Sequence, residues 1–279
     1  MRRLLNHPSL VIGLIATLIF AAIGLISLVW TPYPIELINV PIRYQGPSPE
    51  HWLGTDNLGR DMASLVMAGT WTSFLVAAIA VAIGAGIGVP LGLAAAAWGG
   101  PIEWLVLRFA DFIFAFPAII VAILITTLVG PGAVNAIVAI GIFNIPVFAR
   151  VARGGALSIA TLDFVAAGRL AGLGNAMIAY RHLLPNIMSL IIVQGTIQLS
   201  LGILAEAGLS YVGLGTQPPA TSLGLMLRDA QSVFLLHPWL TLVPGVCIVL
   251  IVIALNIAGD GLRDAIDPRL RQGNNNVIA

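Results

Sequence analysis

From Leu10 to Trp30, and again from Ser73 to Trp98, the chain carries no charged residue. A run of that length matches the roughly 20 apolar residues that cross the hydrocarbon core of a bilayer. In lipid every backbone N–H and C=O must be paired within the protein, and a single helix does this unaided. The composition agrees, because 58% of the residues are hydrophobic and 9% are charged, whereas a soluble domain carries roughly a quarter charged residues. The expected class is an all-α, polytopic membrane protein.

Apolar runs and their Gly and Pro punctuation place six spans, at Leu10–Trp30, Ser73–Trp98, Leu105–Val129, Ala133–Ala149, Ile187–Leu209 and Trp239–Ile257. Arg2 and Arg3 precede the first run as they would in a signal peptide. That run is too long for a signal core, and TPYPIEL after it lacks a small-residue cleavage site, so a retained first helix is expected. Six spans put both termini on one side. With that side cytoplasmic, Arg2, Arg3, Arg108, Arg150, Arg153, Arg169, Arg181, Arg263, Arg269 and Arg271 lie inside and only Arg43, Arg60 and Arg228 outside, the sense of the positive-inside rule. The lone Cys247 lies in an apolar run and reads as a packed thiol. The small residues at Gly84–Gly88 and Ala94–Ala97 read as close helix packing.

One stretch interrupts the pattern on the inner side, FVAAGRLAGLGNAMIAYRHLLPN from Phe164 to Asn186. Thr161 as N-cap, Asp163 in the first turn and Gly172 as a left-handed stop predict a three-turn helix over Thr161–Ala171. That is too short to span and too short to stand alone. Gly174 and Asn175 begin a second short helix through Leu183, and Pro185 opens the next span. The small residues Ala166, Ala167 and Gly168 allow another surface to approach closely, with Arg169 at the rim for a carboxylate or carbonyl. By composition alone the segment reads as a polar turn between spans, as most such loops do.

The spacing of this segment resembles the cytoplasmic loop signature of ABC importer permeases: EAA, three residues, Gly, nine residues, Ile, one residue, Leu-Pro. Ala166, Ala167 and Gly168 stand at the EAA positions, Gly172 follows at the signature Gly, and His182, Leu184 and Pro185 close it. Ala166 replaces the signature Glu, Gly168 replaces Ala and His182 replaces Ile. RHLLPN is similar to the RHxLPN form of the peptide and nickel branch. HWLGTDNLGRDMASLVMAGTWTS (His51–Ser73), LAEAGLSYVGLGTQPPATSLG (Leu204–Gly224), HPWLTLVPG and NIAGDGLRDAIDPRL (between His237 and Leu270) resemble the second permease subunit of dipeptide and oligopeptide importers. Leu65, Trp71 and Leu223 depart from it, where Arg, Arg and Trp are common.

The resemblance implies a type I importer permease fold. Residues 1–72 would form an N-terminal helix with an extracytoplasmic segment, and residues 73–279 the permease core. It also implies a prokaryotic plasma (inner) membrane location, with a homologous but different second permease, two cytoplasmic ABC ATPase domains and an extracytoplasmic solute-binding protein as partners. Membrane lipid surrounds such a protein, and no nucleic acid is expected. Asp163, Phe164, Val165, Ala166, Ala167, Gly168, Arg169, Gly172, His182, Leu184 and Pro185 are the residues it assigns to ATPase coupling. No cofactor is expected in this chain. ATP and Mg belong to the ATPase partners, and the thirteen positive residues agree, all being Arg, since a P-loop requires a Lys.

Ionisable groups near the membrane are functional candidates. Glu206, near the outer end of the fifth span, is placed with Ser210 and Tyr211 on a substrate path, the plainer reading being a bond to a neighbouring helix or subunit. In GTDNLGRD, Gly54 and Gly59 allow tight turns that Asp56, Arg60 and Asp61 lock by ion pairs, giving an outer cap or a binding-protein contact. Asp111 and Arg108 read as an i,i+3 pair, and Asp260, Arg263, Asp264 and Asp267 as a charged collar. A membrane enzyme would need converging nucleophile, base or metal ligands. The histidines His7, His51, His182 and His237 fall in loops or helix ends, and HExxH is absent. A passive channel, with rings of charge or a carbonyl filter, is the alternative, as is an importer subunit for nickel chelates or another small solute.

Overall fold

A computed structural model describes residues Pro8–Ile266; Arg2, Arg3, His7, Asp267, Arg269 and Arg271 lie outside them. Ten helices make up the described fold: α1 (Pro8–Ile26), α2 (Met62–Trp98), α3 (Gly100–Phe114), α4 (Ala118–Val129), α5 (Ala133–Ile159), α6 (Asp163–Leu170), α7 (Asn175–Ile178), α8 (Leu184–Tyr211), α9 (Leu223–Ala230) and α10 (Trp239–Ile266). Five continuous rods are long and apolar enough to span: α1, α2, α5, the run from Asn175 to Tyr211, and α10.

The expected third span, Leu105–Val129, is instead two helices, α3 and α4, bent by 83° between Phe114 and Ala118. Pro117 is the physical reason, because its ring fixes φ at −58° and it cannot donate to the turn before it. The expected i,i+3 pair of Arg108 and Asp111 does not form either. Asp111 accepts from Arg150 of α5, and Arg108 lies 5.6 Å over the Trp104 ring. Glu103 pairs likewise with Arg153, so two arginines on the last turns of α5 hold α3 in place.

Three other helices, α2, α5 and α10, outrun their expected bounds, α10 running past Ile257 to Ile266. α2 begins at Met62 rather than Ser73, because Asp61 caps it, its carboxylate accepting from Ser64 N–H at 2.8 Å and from Ser64 Oγ at 2.7 Å. α5 continues past Ala149 to Ile159, since Arg150 and Arg153 reach α3 from within the helix.

Small residues set the helix spacing. Gly84, Gly88 and Gly92 of α2 meet Asn144, Ile145 and Ala149 of α5 so closely that a Cβ at each would lie 2.2–2.3 Å from its neighbour. Their four-residue spacing is one ridge of a helix. Gly13 and Gly261 do the same where α1 crosses α10. Without a hydrophobic force between helices in lipid, such backbone approach is what van der Waals packing needs.

The segment 31–61 folds over one end of the bundle as a set of tight turns. Gly54 and Gly59 take φ of 78° and 75° as expected, and backbone carbonyls of Gln45 and Asn39 leave no room for a Cβ at either. The Asp56 carboxylate accepts from Leu58 N–H and Arg60 N–H at 2.8 Å and from the Arg60 guanidinium at 2.7 Å. Asp61 pairs with His51 rather than with an arginine, at 2.9 Å. Arg60 also lies 3.7 Å from Asp229 of α9, tying the segment to the rest of the fold. Burial raises the Asp229 pKa above its ordinary value, the Arg60 charge opposing this and Asp56 adding to it.

Candidate functional site

At the opposite end, α6 stands between α5 and the rod that begins at Asn175. It is shorter than expected, Asp163–Leu170 instead of Thr161–Ala171. Leu162, extended at φ −76° and ψ 150°, is the N-cap, and Thr161 makes no cap bond, lying one residue too early to reach the first free N–H groups. Asp163 in the first turn and Arg169 in the last complement the helix dipole. The stop is as the sequence predicts. Gly172 takes φ 81°, its N–H donates to Arg169 O, and Leu173 N–H donates to Gly168 O, so two of the orphan carbonyls are paired.

The helix turns one face inward and leaves the other bare. Val165 is buried in a cluster with Ile178, Ala179, Leu183, Val89, Leu93, Phe148 and Ala152, and Gly168 is buried beside His182 and Leu173. Phe164 tilts toward His182 with ring centres 6.1 Å apart. Two departures from the signature meet here: a Cβ on residue 168 would lie 3.2 Å from His182 Nε2. Gly168 therefore makes the space that the imidazole occupies, and that Nε2 is buried with no partner. Leu170 is 90% exposed and Tyr180 73%, with Leu162 and Met177 exposed beside them. Arg169 and Arg181 are exposed as well, and among the described residues Arg169 makes no ion pair. Bare apolar side chains within a charged rim suit a protein partner.

Pro185 does not open a separate helix. The chain from Asn175 to Tyr211 is one continuous rod with a π turn at Ala179–Leu183, just before the proline. Proline cannot donate to a carbonyl four residues back, and a widened turn absorbs the misfit.

Near the far end of that rod Glu206 is fully buried. Its carboxylate accepts from Ser73 Oγ of α2 at 2.8 Å, Ser210 Oγ at 2.6 Å and Thr216 Oγ1 at 3.2 Å. Ser210 Oγ also accepts from Thr216 N–H at 3.0 Å. The group thus joins α2, α8 and the loop after it, while Tyr211 lies exposed at the helix end.

A cavity of about 440 Å³ opens between α4, α5 and α8. Glu206 and Ser210 do not line it; Asn144 and Gln198 do. Gln198 Nε2 donates to Asn144 Oδ1 at 3.0 Å, and each residue is 6% exposed. Sequence reasoning passed over this pair by attending to ionisable groups alone. Two amides at mid-span, both costly in lipid, were the available signal.

Residues 88–272 match the family described as the inner membrane component of binding-protein-dependent transport systems. The chain belongs to this family. The permease is 38% identical over 270 residues to the dipeptide transport system permease protein DppC of Alkalihalophilus pseudofirmus, a match covering 97% of this chain and 89% of that one. It is 38% identical over 271 residues to the glutathione transport system permease protein GsiD of Pectobacterium atrosepticum, covering 97% and 90%. Among solved structures, inward-facing forms of the MetNI methionine ABC transporter superpose with TM-scores of 0.58 and 0.60 at 22% and 23% identity, over 73% and 74% of this chain. That likeness supports a type I importer permease fold. The permease is a transport subunit of the membrane, and its family works with a binding protein.

Proposed function

We propose that this permease is one of two homologous, non-identical membrane subunits of an importer that moves peptides inward, powered by ATP and Mg²⁺ held on partner ATPases. The relatives named for dipeptides and for glutathione, itself a tripeptide, support peptides as the solute class. The inner end of the bundle is the α6 end, as the arginine count implies. Both termini are then cytoplasmic, the membrane is the inner membrane of a prokaryote, and the 31–61 segment faces outward.

The observation that carries the coupling role is α6 itself: a stopped, eight-residue helix, anchored by Val165 and Gly168, that bares Leu170, Phe164 and Arg169. The ATPase seats on that face, so its movement on binding ATP is passed to α5 and to the rod from Asn175. On the outer side Asp56 and Arg60 keep the turns of residues 54–61 rigid, and this surface receives the binding protein. Glu206 holds α2 to α8 through Ser73, and with Ser210 ties in the loop after α8.

The test is peptide uptake by the complete importer in proteoliposomes. Arg169→Glu reverses the charge on the bare face. Gly172→Pro cannot adopt the positive φ and breaks the stop. Both variants should insert into the membrane at normal levels and lose uptake and binding-protein-stimulated ATP hydrolysis together. Normal uptake in both would sink the coupling role.

A further inference from the structure

At the 31–61 end of the bundle, Trp30, Tyr33, Glu50, Trp52, Asp61 and Ala63 line a cleft of about 350 Å³. Among the described residues its only charged lining groups are the two carboxylates. That of Asp61 is already paired with His51 and Ser64, whereas Glu50 is exposed and makes no ion pair among the described residues. Further along the seam between α1 and α2, Gly24, Leu25, Trp71, Phe74, Leu75 and Ala78 line a second hollow of about 210 Å³ whose walls are apolar throughout. Gly24 brings the two helices together there, a Cβ on it lying 3.1 Å from Trp71 Cα. The cleft and the hollow share one face of α2. At about 100° per residue Ala63, Trp71, Phe74 and Ala78 fall within about 80° of one another, and at about 1.5 Å per residue they extend about 22 Å along the axis. That is the depth of one bilayer leaflet with its headgroups. An aromatic belt at the interface accounts for Trp and Tyr at this level, but not for an acidic cleft among them or an apolar hollow beneath it.

We infer that this seam holds one phospholipid with an ammonium headgroup, its nitrogen in the acidic, aromatic cleft and an acyl chain in the hollow beneath. Glu50 supplies the counter-charge, and the rings of Trp30, Tyr33 and Trp52 favour a cation over an anion. A lipid of net negative charge would meet two carboxylates and no arginine, the reverse of the basic pockets that hold anionic lipids. Leu25 and Leu75, 52% and 40% exposed, flank the chain on the side open to the bilayer. The site requires only that α1 and α2 cross the membrane, and it is independent of the solute that the permease moves.

The experiment places the complete importer in vesicles of equal parts phosphatidylethanolamine and phosphatidylglycerol, with bromine on the acyl chains of one lipid or of the other. Bromine quenches indole fluorescence on contact, and the Trp71 signal is the difference between wild type and Trp71→Phe. Brominated phosphatidylethanolamine should quench Trp71 about threefold more than brominated phosphatidylglycerol. Glu50→Lys should erase or reverse that preference. Ala78→Phe, at an exposed position in the lower hollow, should weaken the quenching of Trp71 by either lipid. Equal quenching by the two lipids in the wild type would overturn the site, leaving bulk lipid only. An unchanged preference in Glu50→Lys would overturn it as well, because the headgroup would then be read elsewhere. Quenching by neither lipid would also overturn it, making the seam a joint with the second permease. None of these readouts measures uptake, so peptide import stands or falls separately.

Discussion

Asp56 shows how much of the outer segment hangs on single side chains. Its carboxylate accepts three N–H groups at 2.7–2.8 Å while nearly buried, and charge-assisted bonds of this kind are the strong ones. Asp56→Ala should lower stability by about 2–4 kcal/mol, read as a drop in the melting temperature of the purified protein. Asp229 behaves oppositely. Burial raises its pKa, so just above the ordinary value of 3.8 the folded state holds the proton more tightly than the unfolded one, and stability falls as pH rises through that window. Asp229→Asn should flatten that slope in melting temperature against pH; an unchanged slope would assign it to another group. The Gly168–His182 contact makes a coupled pair. Gly168→Ala alone presses on the imidazole, whereas the same change with His182→Ile should cost less than the two single changes summed, by about 0.5–1 kcal/mol in a double-mutant cycle.

The helices were legible wherever an apolar run and its punctuation agreed. Gly172 gave away the end of α6, and the glycines of α2 gave away a packed face, though not which helix they meet. Gly92→Leu would drive a side chain into Ala149 O, which a Cβ already approaches to 2.2 Å. Steady-state membrane levels should fall severalfold, as overpacking by more than about 3 kcal/mol implies. The bend between α3 and α4 was hidden because Leu105–Val129 is greasy throughout. Hydropathy measures transfer into lipid and is blind to direction, and only Pro117 marked the break. The Asn144–Gln198 pair lies 54 residues apart in sequence, and nothing local to either residue names the other. The start of α6 was misjudged for a related reason: Thr161 has the chemistry of a cap, but packing of Val165 against Ile178 and Leu183 sets the helix register.

Taken whole, the molecule separates a capped end from a bare one, and the proposed orientation can be tested by labelling each. In a background with Cys247 replaced by serine, cysteine at Leu170 should react with an impermeant thiol reagent only in inside-out vesicles, and cysteine at Trp52 only in right-side-out ones; both positions are well exposed. Labelling with the opposite sidedness would invert the orientation. The rod from Asn175 to Tyr211 joins the two ends physically. Tyr180 lies at its α6 end, Gln198 at the cavity and Glu206 near the other end, bonded to Ser73 of α2. Its regular length is stiff, but Ala179–Leu183 is wound more loosely than the rest. A lever is only as faithful as its softest segment. With an ATPase docked at α6 as proposed, movement passed along the rod would reach the cavity wall reduced by whatever these five residues absorb as twist.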